Sequence, residues 1–364
     1  MSAVSRRGRR RGLRQLRRLG ALPLALVLTI SAAARAAEDN QAGASGARSD
    51  SAGPPADAAE PLPPADRGRG GAGAFGLAGP APEGVSYLGG YAPDTVLDRV
   101  RLSSAVHRSG ADEVALAFTA GDLHFQEAVP LAGAGTGLVG DLYDFGVDGR
   151  YSRRIANDKE VIGRLRLGSA SDKPFTRWDV MTIGAGASLV LPGGDHGRWV
   201  LSLDASNNNP ILNYIPIPGV AYVYRTSTLT AVMGLPFASV RWRPAGLWTL
   251  SALVSPATLD GEAACGDPRR LQGFAGFSAG ARQSYLPAER ANADERLFLE
   301  EKRAVGGVRV SLPFRLTGEA QFGYVFARSM FETTGAALLL GSENVPKTTL
   351  GDGLFVGWSL RAAL

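Results

Sequence analysis

Cysteine is almost absent from this chain: Cys265 stands alone among 364 residues. No disulfide can form within the molecule, so a cross-linked secreted scaffold is excluded. Histidine is nearly as scarce, with only His107, His124 and His196, and their scatter offers no zinc-binding spacing. Sustained helical periodicity is missing too, apart from a short candidate helix over Ala288 to Lys302. Instead the chain carries 47 glycines, about 13% against a usual ~7%. Each would cost a helix interior about 1 kcal/mol relative to alanine, which argues against a helical bundle.

Acid is lacking at one end only. Residues 1 to 36 contain nine arginines and no Asp or Glu, so the rest of the chain holds 39 − 9 = 30 basic against 34 acidic residues. The formal charge of +5 therefore belongs to the N-terminal stretch. A nucleic-acid partner is not expected, because such binding needs a basic surface on the folded part.

That N-terminal stretch has its own logic. A basic segment ending at Arg18 precedes sixteen uncharged, mostly apolar residues from Leu19 to Ala34, followed by Ala34-Arg35-Ala36. This layout predicts a cleaved secretory signal peptide over 1–36, too short and too basic in its flank for a stable transmembrane helix. No cysteine follows the apolar run, which excludes a lipoprotein. Residues 37–97 are rich in Ala, Gly, Pro and Ser, as in Ser51-Ala52-Gly53-Pro54-Pro55. Such a segment buries too little apolar surface to offset its ordering entropy, so it reads as a disordered periplasmic linker.

From Asp98 to Leu364 the texture changes to alternation. In Tyr143-Asp144-Phe145-Gly146-Val147-Asp148-Gly149-Arg150-Tyr151 the odd positions are apolar, aromatic or Gly while charges fall on even ones. A period of two is the signature of a strand with one greasy and one polar face. Val161 to Leu167, Trp199 to Ser206 and Leu316 to Ala327 repeat it, and further strands are expected near Val100, Val114, Val180, Val220, Leu229, Phe237, Trp248, Leu271, Ala304 and Leu354. The fold class is all-β.

A soluble sandwich and a membrane barrel both fit alternation, and the side chains decide between them. The apolar faces mix Gly and Ala with rings, which suits fluid lipid better than a close-packed core. Asp144, Asp148, Arg150, Arg164, Arg166, Asp204, Arg241, Arg309 and Glu319 fall in mid-strand on the opposite face. In an outer-membrane barrel that face lines a polar lumen. Tyr143, Tyr151, Trp199, Tyr222, Tyr224, Trp242, Trp248 and Trp358 gather near strand ends, as interfacial girdles do. Leu354, Val356, Trp358, Leu360, Ala362 and Leu364 alternate to the last residue. This resembles the terminal strand read by the outer-membrane insertion machinery, although Leu364 replaces the usual aromatic.

The reading is an antiparallel transmembrane β-barrel over 98–364. At roughly ten residues per strand plus a connection of similar length, about 12 strands are expected. Ser255 to Arg270 and Gln283 to Arg303 read as longer loops, with Cys265 a free thiol in the first. Pro216 and Pro218 cannot donate ladder hydrogen bonds, which places them at a strand start or in a loop, on the membrane boundary.

The stretches Leu203 to Pro210, Ile215 to Tyr222, Gly234 to Val240 and Trp248 to Ser251 resemble outer-membrane β-barrel proteins grouped as domain of unknown function 6268. The resemblance covers about fifty residues in mid-chain. It implies a barrel and its location in the outer membrane of a Gram-negative bacterium, and no activity.

Catalytic motifs are weak. Gly276-Phe277-Ser278-Ala279-Gly280 matches a hydrolase nucleophile elbow, yet every histidine lies upstream and the setting is a Gly-rich strand. Gly135-Thr136-Gly137-Leu138-Val139-Gly140 matches a dinucleotide turn, but a strand pattern follows it where a helix is required. His107 and Ser109, two apart on one strand face, give a barrel-embedded lipid hydrolase as the alternative. Asn207 to Asn209 suit a turn without calcium. The expectation is a non-enzymatic barrel without cofactor or metal, either a narrow pore for small polar solutes or a plugged structural barrel. Its partners would be outer-membrane lipids and, during biogenesis, the insertion machinery and periplasmic chaperones. A soluble secreted β-sandwich that binds a ligand is the remaining alternative.

Overall fold

Alternating sequence becomes alternating faces in the computed structural model, which describes residues 83–130, 138–155, 158–209, 212–244, 246–290, 292–334 and 345–363. The expected signal peptide, most of the linker and the first three residues of the dinucleotide-like turn lie outside the described residues. The strands are β1 (Gly84–Ala92), β2 (Thr95–Ser109), β3 (Asp112–Pro130), β4 (Leu138–Ile155), β5 (Lys159–Ser171), β6 (Met181–Pro192), β7 (Gly197–Ser206) and β8 (Ile217–Arg225). They continue as β9 (Leu229–Leu235), β10 (Ala238–Trp242), β11 (Trp248–Val254), β12 (Thr258–Gly266), β13 (Leu271–Tyr285), β14 (Arg296–Leu312), β15 (Leu316–Thr333) and β16 (Gly353–Ala363). A two-residue ladder, Thr348–Thr349, adds to β15.

Each strand pairs antiparallel with its neighbours in sequence, and β16 returns to β1 with Gly84 opposite Ala363 and Tyr91 opposite Val356. The sheet is thus a closed barrel of sixteen strands. Closure leaves no edge, which is the condition for placing strands in hydrocarbon, where an unpaired N–H or C=O is costly. It also rules out the two-sheet sandwich.

Sixteen strands correct the expectation of about twelve. Connections are shorter than assumed: only Gly110 and Ala111 separate β2 from β3. The presumed loop Ser255 to Arg270 contains β12, and the presumed loop Gln283 to Arg303 contains the end of β13 and the start of β14. The candidate helix from Ala288 to Lys302 is likewise a connection followed by strand. Within the stretch assigned to the linker, β1 and the start of β2 are ordered strand. Alternation is weak in β1, where Gly89 and Gly90 interrupt it.

One transverse row fixes which face looks out. Phe118, Val147, Leu167 and Ile183 are mutual register partners on β3 to β6 and all are exposed. One position along, Ala117, Asp148, Arg166 and Gly184 form the adjacent row on the opposite face. The outer row is apolar and the inner row is charged or small. Cys265 lies on the outer face of β12, opposite Trp248 in the ladder and exposed as a free thiol.

The two ends of the barrel differ. Both strand termini, Gly84 and Ala363, share one end with the short turns. The turn between β6 and β7 uses Gly194 at φ +99°, a left-handed conformation that favours glycine. Exposed Tyr151, Trp199, Trp242 and Trp248 ring the outer face near this end, and Trp199 packs on Tyr222 at 5.0 Å between centroids. Pro216 precedes β8 and Pro218 is its second residue, the strand start anticipated from their missing N–H groups. At the opposite end lie the longer connections. Strand length is also uneven, with β3 at 19 residues and β10 at 5.

Candidate functional site: the lumen and its mouth

The inner face carries charge in transverse belts, each assembled from alternate residues of neighbouring strands. Arg309 on β14 donates from Nη1 and Nη2 to both oxygens of Glu262 on β12, each at 2.7 Å, and from Nε to Glu319 on β15 at 2.6 Å. Its guanidinium lies 4.3 Å from the centroid of the Phe274 ring on β13. A fork facing two carboxylates and stacked on a ring uses the geometry that distinguishes arginine from lysine.

The opposite wall holds a second belt. Asp144 on β4 accepts from Arg99 on β2 at 3.2 Å and from Arg166 on β5 at 3.3 Å, while Asp148 lies 3.9 Å from Arg166 Nε. Arg150 reaches Glu160 at 3.5 Å. Arg164 on β5 faces Gly186 on β6, which in turn faces Asp204 on β7. A Cβ at Gly186 would stand 2.1 Å from the Asp204 carboxylate, so a larger residue there would have to displace the Asp204 side chain. Arg241 sits half-buried on β10 between Thr230 and Ser251.

Eight of the nine residues singled out in the sequence thus fall into these belts, joined by Arg99, Glu160 and Glu262, which the sequence reading missed. Arg99 was discoverable from the alternation Asp98-Arg99-Val100-Arg101, and Glu262 was hidden by assigning β12 to a loop.

At the long-loop end the interior turns apolar. Leu123 on β3, Leu142 on β4, Tyr285 on β13, Leu297 on β14 and Met330 on β15 form one buried cluster that joins walls from opposite sides of the ring. The Leu286 N–H donates to Ala170 O at 2.6 Å, tying the connection after β13 to the rim of β5. That connection, residues 286–295, is fastened further. Arg290 donates to Asp179 O at 2.7 Å, Ala288 N–H to Asp172 Oδ1 at 2.7 Å, and Asn213 Nδ2 to Asp294 O at 2.8 Å. Arg296 donates to Asn207 O. Over the short strands, buried Phe237 packs with Leu212, Ile217, Val232 and Leu253. The mouth is therefore narrowed by inward packing, a feature that no period-two pattern announces.

Lys173 and Glu289 bridge the same connections at 2.6 Å. Their hydrogen bond, then their mutual charge, hold the Glu289 carboxyl below its ordinary range and the Lys173 ammonium above its own. The depressed carboxyl contributes above its unfolded value and is lost as pH falls through its folded value. The raised ammonium contributes below its unfolded value and is lost as pH rises through its folded value. The bridge is thus formed across neutral pH. Spin labels at Thr176 and Ala293 are expected to keep one distance near pH 7 and to spread as pH falls below the ordinary carboxylate range, with a smaller pH effect in K173Q.

Two of the catalytic motifs fall on described strands. Ser278 lies within β13 as a ladder residue. His107 and Ser109 share one face of β2 beyond a bulge between Ala105 and His107, and no hydrogen bond joins them. Among the described residues no group of three or more His, Cys, Asp or Glu could hold a metal.

No family model matches the chain, so the resemblance to domain of unknown function 6268 extends no further than the residues that carry it. No curated protein matches either. Among solved structures, the chain is similar to an outer membrane channel from Pseudomonas putida F1, at 12% identity and a TM-score of 0.32, covering 79% of this chain and 98% of that one. It is also similar to the outer-membrane expressed OmpT of Vibrio cholerae, at 9% identity and a TM-score of 0.27, covering 77% and 95%. The barrel assignment rests on the pairing of the chain's own strands: a closed, sixteen-stranded antiparallel sheet with an apolar outer face, a lumen of paired charges and a mouth packed from within.

Proposed function

We propose that this protein is a bacterial outer-membrane barrel that forms a narrow, constricted pore for small polar solutes. The observation that carries this reading is the contrast between the two faces of one closed sheet. Exposed Phe118, Leu165, Leu203 and Phe322 would meet lipid, while Arg99, Asp144, Arg309 and Glu319 face inward in ion pairs. Sixteen strands enclose enough room for an aqueous channel, and residues 286–295 set its width at the long-loop end. Belts of both signs favour neither anions nor cations along the lumen as a whole. Barrel lipids, insertion machinery and periplasmic chaperones are the partners this role requires. It assigns no chemical step to the chain.

The test is direct. Outer-membrane fractions run heated and unheated on a denaturing gel should differ in mobility, and the purified chain in planar bilayers should give small, weakly selective conductance steps. A chain that stays in the soluble periplasmic fraction with no heat shift overturns the membrane reading. A heat-shifting chain that never conducts leaves a plugged structural barrel.

A further inference from the structure

Arg150 on β4 and Arg164 on β5 are direct register partners on the lumen face. Like charges placed opposite each other across two strands repel and destabilise the pair. Nothing nearby fully compensates. Arg150 reaches its acceptor, Glu160, only at 3.5 Å, and its Nε and Nη1 are buried without an acceptor. Arg164 Nη1 is buried without an acceptor as well. Asp204 faces Arg164 across Gly186. In the next inward-facing row Asp148 and Arg166 offset each other at 3.9 Å, and two rows the other way Arg154 faces Glu160 in the ladder, so the Arg150–Arg164 row carries two cations against Asp204. The flanking register partners are small, Ala115 beside Arg150 and Gly186 beside Arg164, and the Asp204 carboxylate lies over Gly186 on the Arg164 side.

Buried donors without acceptors call for a bound group that supplies both oxygen atoms and negative charge. We propose that Arg150 and Arg164 form a seat for one small oxyanion, of the phosphate or carboxylate class, inside the lumen near its short-turn end. This deepens the pore reading, on which it rests for access, by naming an anion that lodges on the way through.

The experiment uses the full chain purified in detergent, with inorganic phosphate as the probe against chloride at equal ionic strength. Titration calorimetry should give saturable binding of one phosphate per chain, and phosphate should raise the temperature at which the unheated gel band is lost. R150Q and R164Q should each weaken binding about tenfold or more, the worth of a charge-assisted hydrogen bond. R101Q, altered on β2 outside the pair, should bind like the unaltered protein. A heat shift retained by each variant shows that it has folded. No saturable binding by the unaltered chain, or equal binding by R150Q and R164Q, overturns the seat. Phosphate binding without conductance defeats the pore and leaves the seat standing, whereas conductance without phosphate binding does the reverse.

Discussion

Replacing Arg309 with alanine is expected to be among the most damaging single changes in the lumen wall, costing about 3–5 kcal/mol of stability as a broken buried ion pair does. The magnitude follows from what remains. Glu262 and Glu319 have side chains only 14% and 6% exposed, and removal of the guanidinium leaves both carboxylates facing each other across the lumen side of β13 and β14 without their shared cation. Phe274 loses its stacked partner too. The tryptophan-fluorescence midpoint in urea should fall accordingly. A triple variant, R309M with E262Q and E319Q, should recover most of the loss, because discarding the whole charged set removes its desolvation cost along with its attraction. If R309A unfolds at the original midpoint, the belt contributes nothing to stability.

Shortening the β13–β14 connection should have the largest effect on conductance. Replacing residues 287–295 by two glycines removes the bonds of Ala288, Arg290 and Asp294 to the β5–β6 and β7–β8 connections. The ladder of β13 with β14 remains intact, and surface connections tolerate such changes because closure of the sheet does not depend on them. Single-channel conductance should rise several-fold while the heat shift on gels persists. Unchanged conductance would place the constriction elsewhere in the lumen.

The legible parts of this molecule are those with a short period. Asp144, Asp148, Arg150, Arg164 and Arg166 could be placed on one face because β4 and β5 alternate without interruption, and the start of β8 could be placed near Pro216 and Pro218 because proline lacks a donor. Gly-rich or short stretches defeated the same logic. Nine-residue β12 holds too few alternations to stand out from turns, and β1 is broken by Gly89 and Gly90. The strand total was accordingly low.

Residues Tyr285, Leu286 and Leu297 carried no signal at all, since nothing in a linear pattern states that the end of β13 will lean across to β5. The sequence by itself determined the class of fold and which charged residues share a face, because alternation is a local property of the extended backbone. Only the tertiary structure decided the number of strands, the pairing of each arginine with its carboxylates and the narrowing of the mouth. Those depend on register and closure, which bring together positions such as Glu262 and Arg309, or Ala170 and Leu286, that the chain holds far apart.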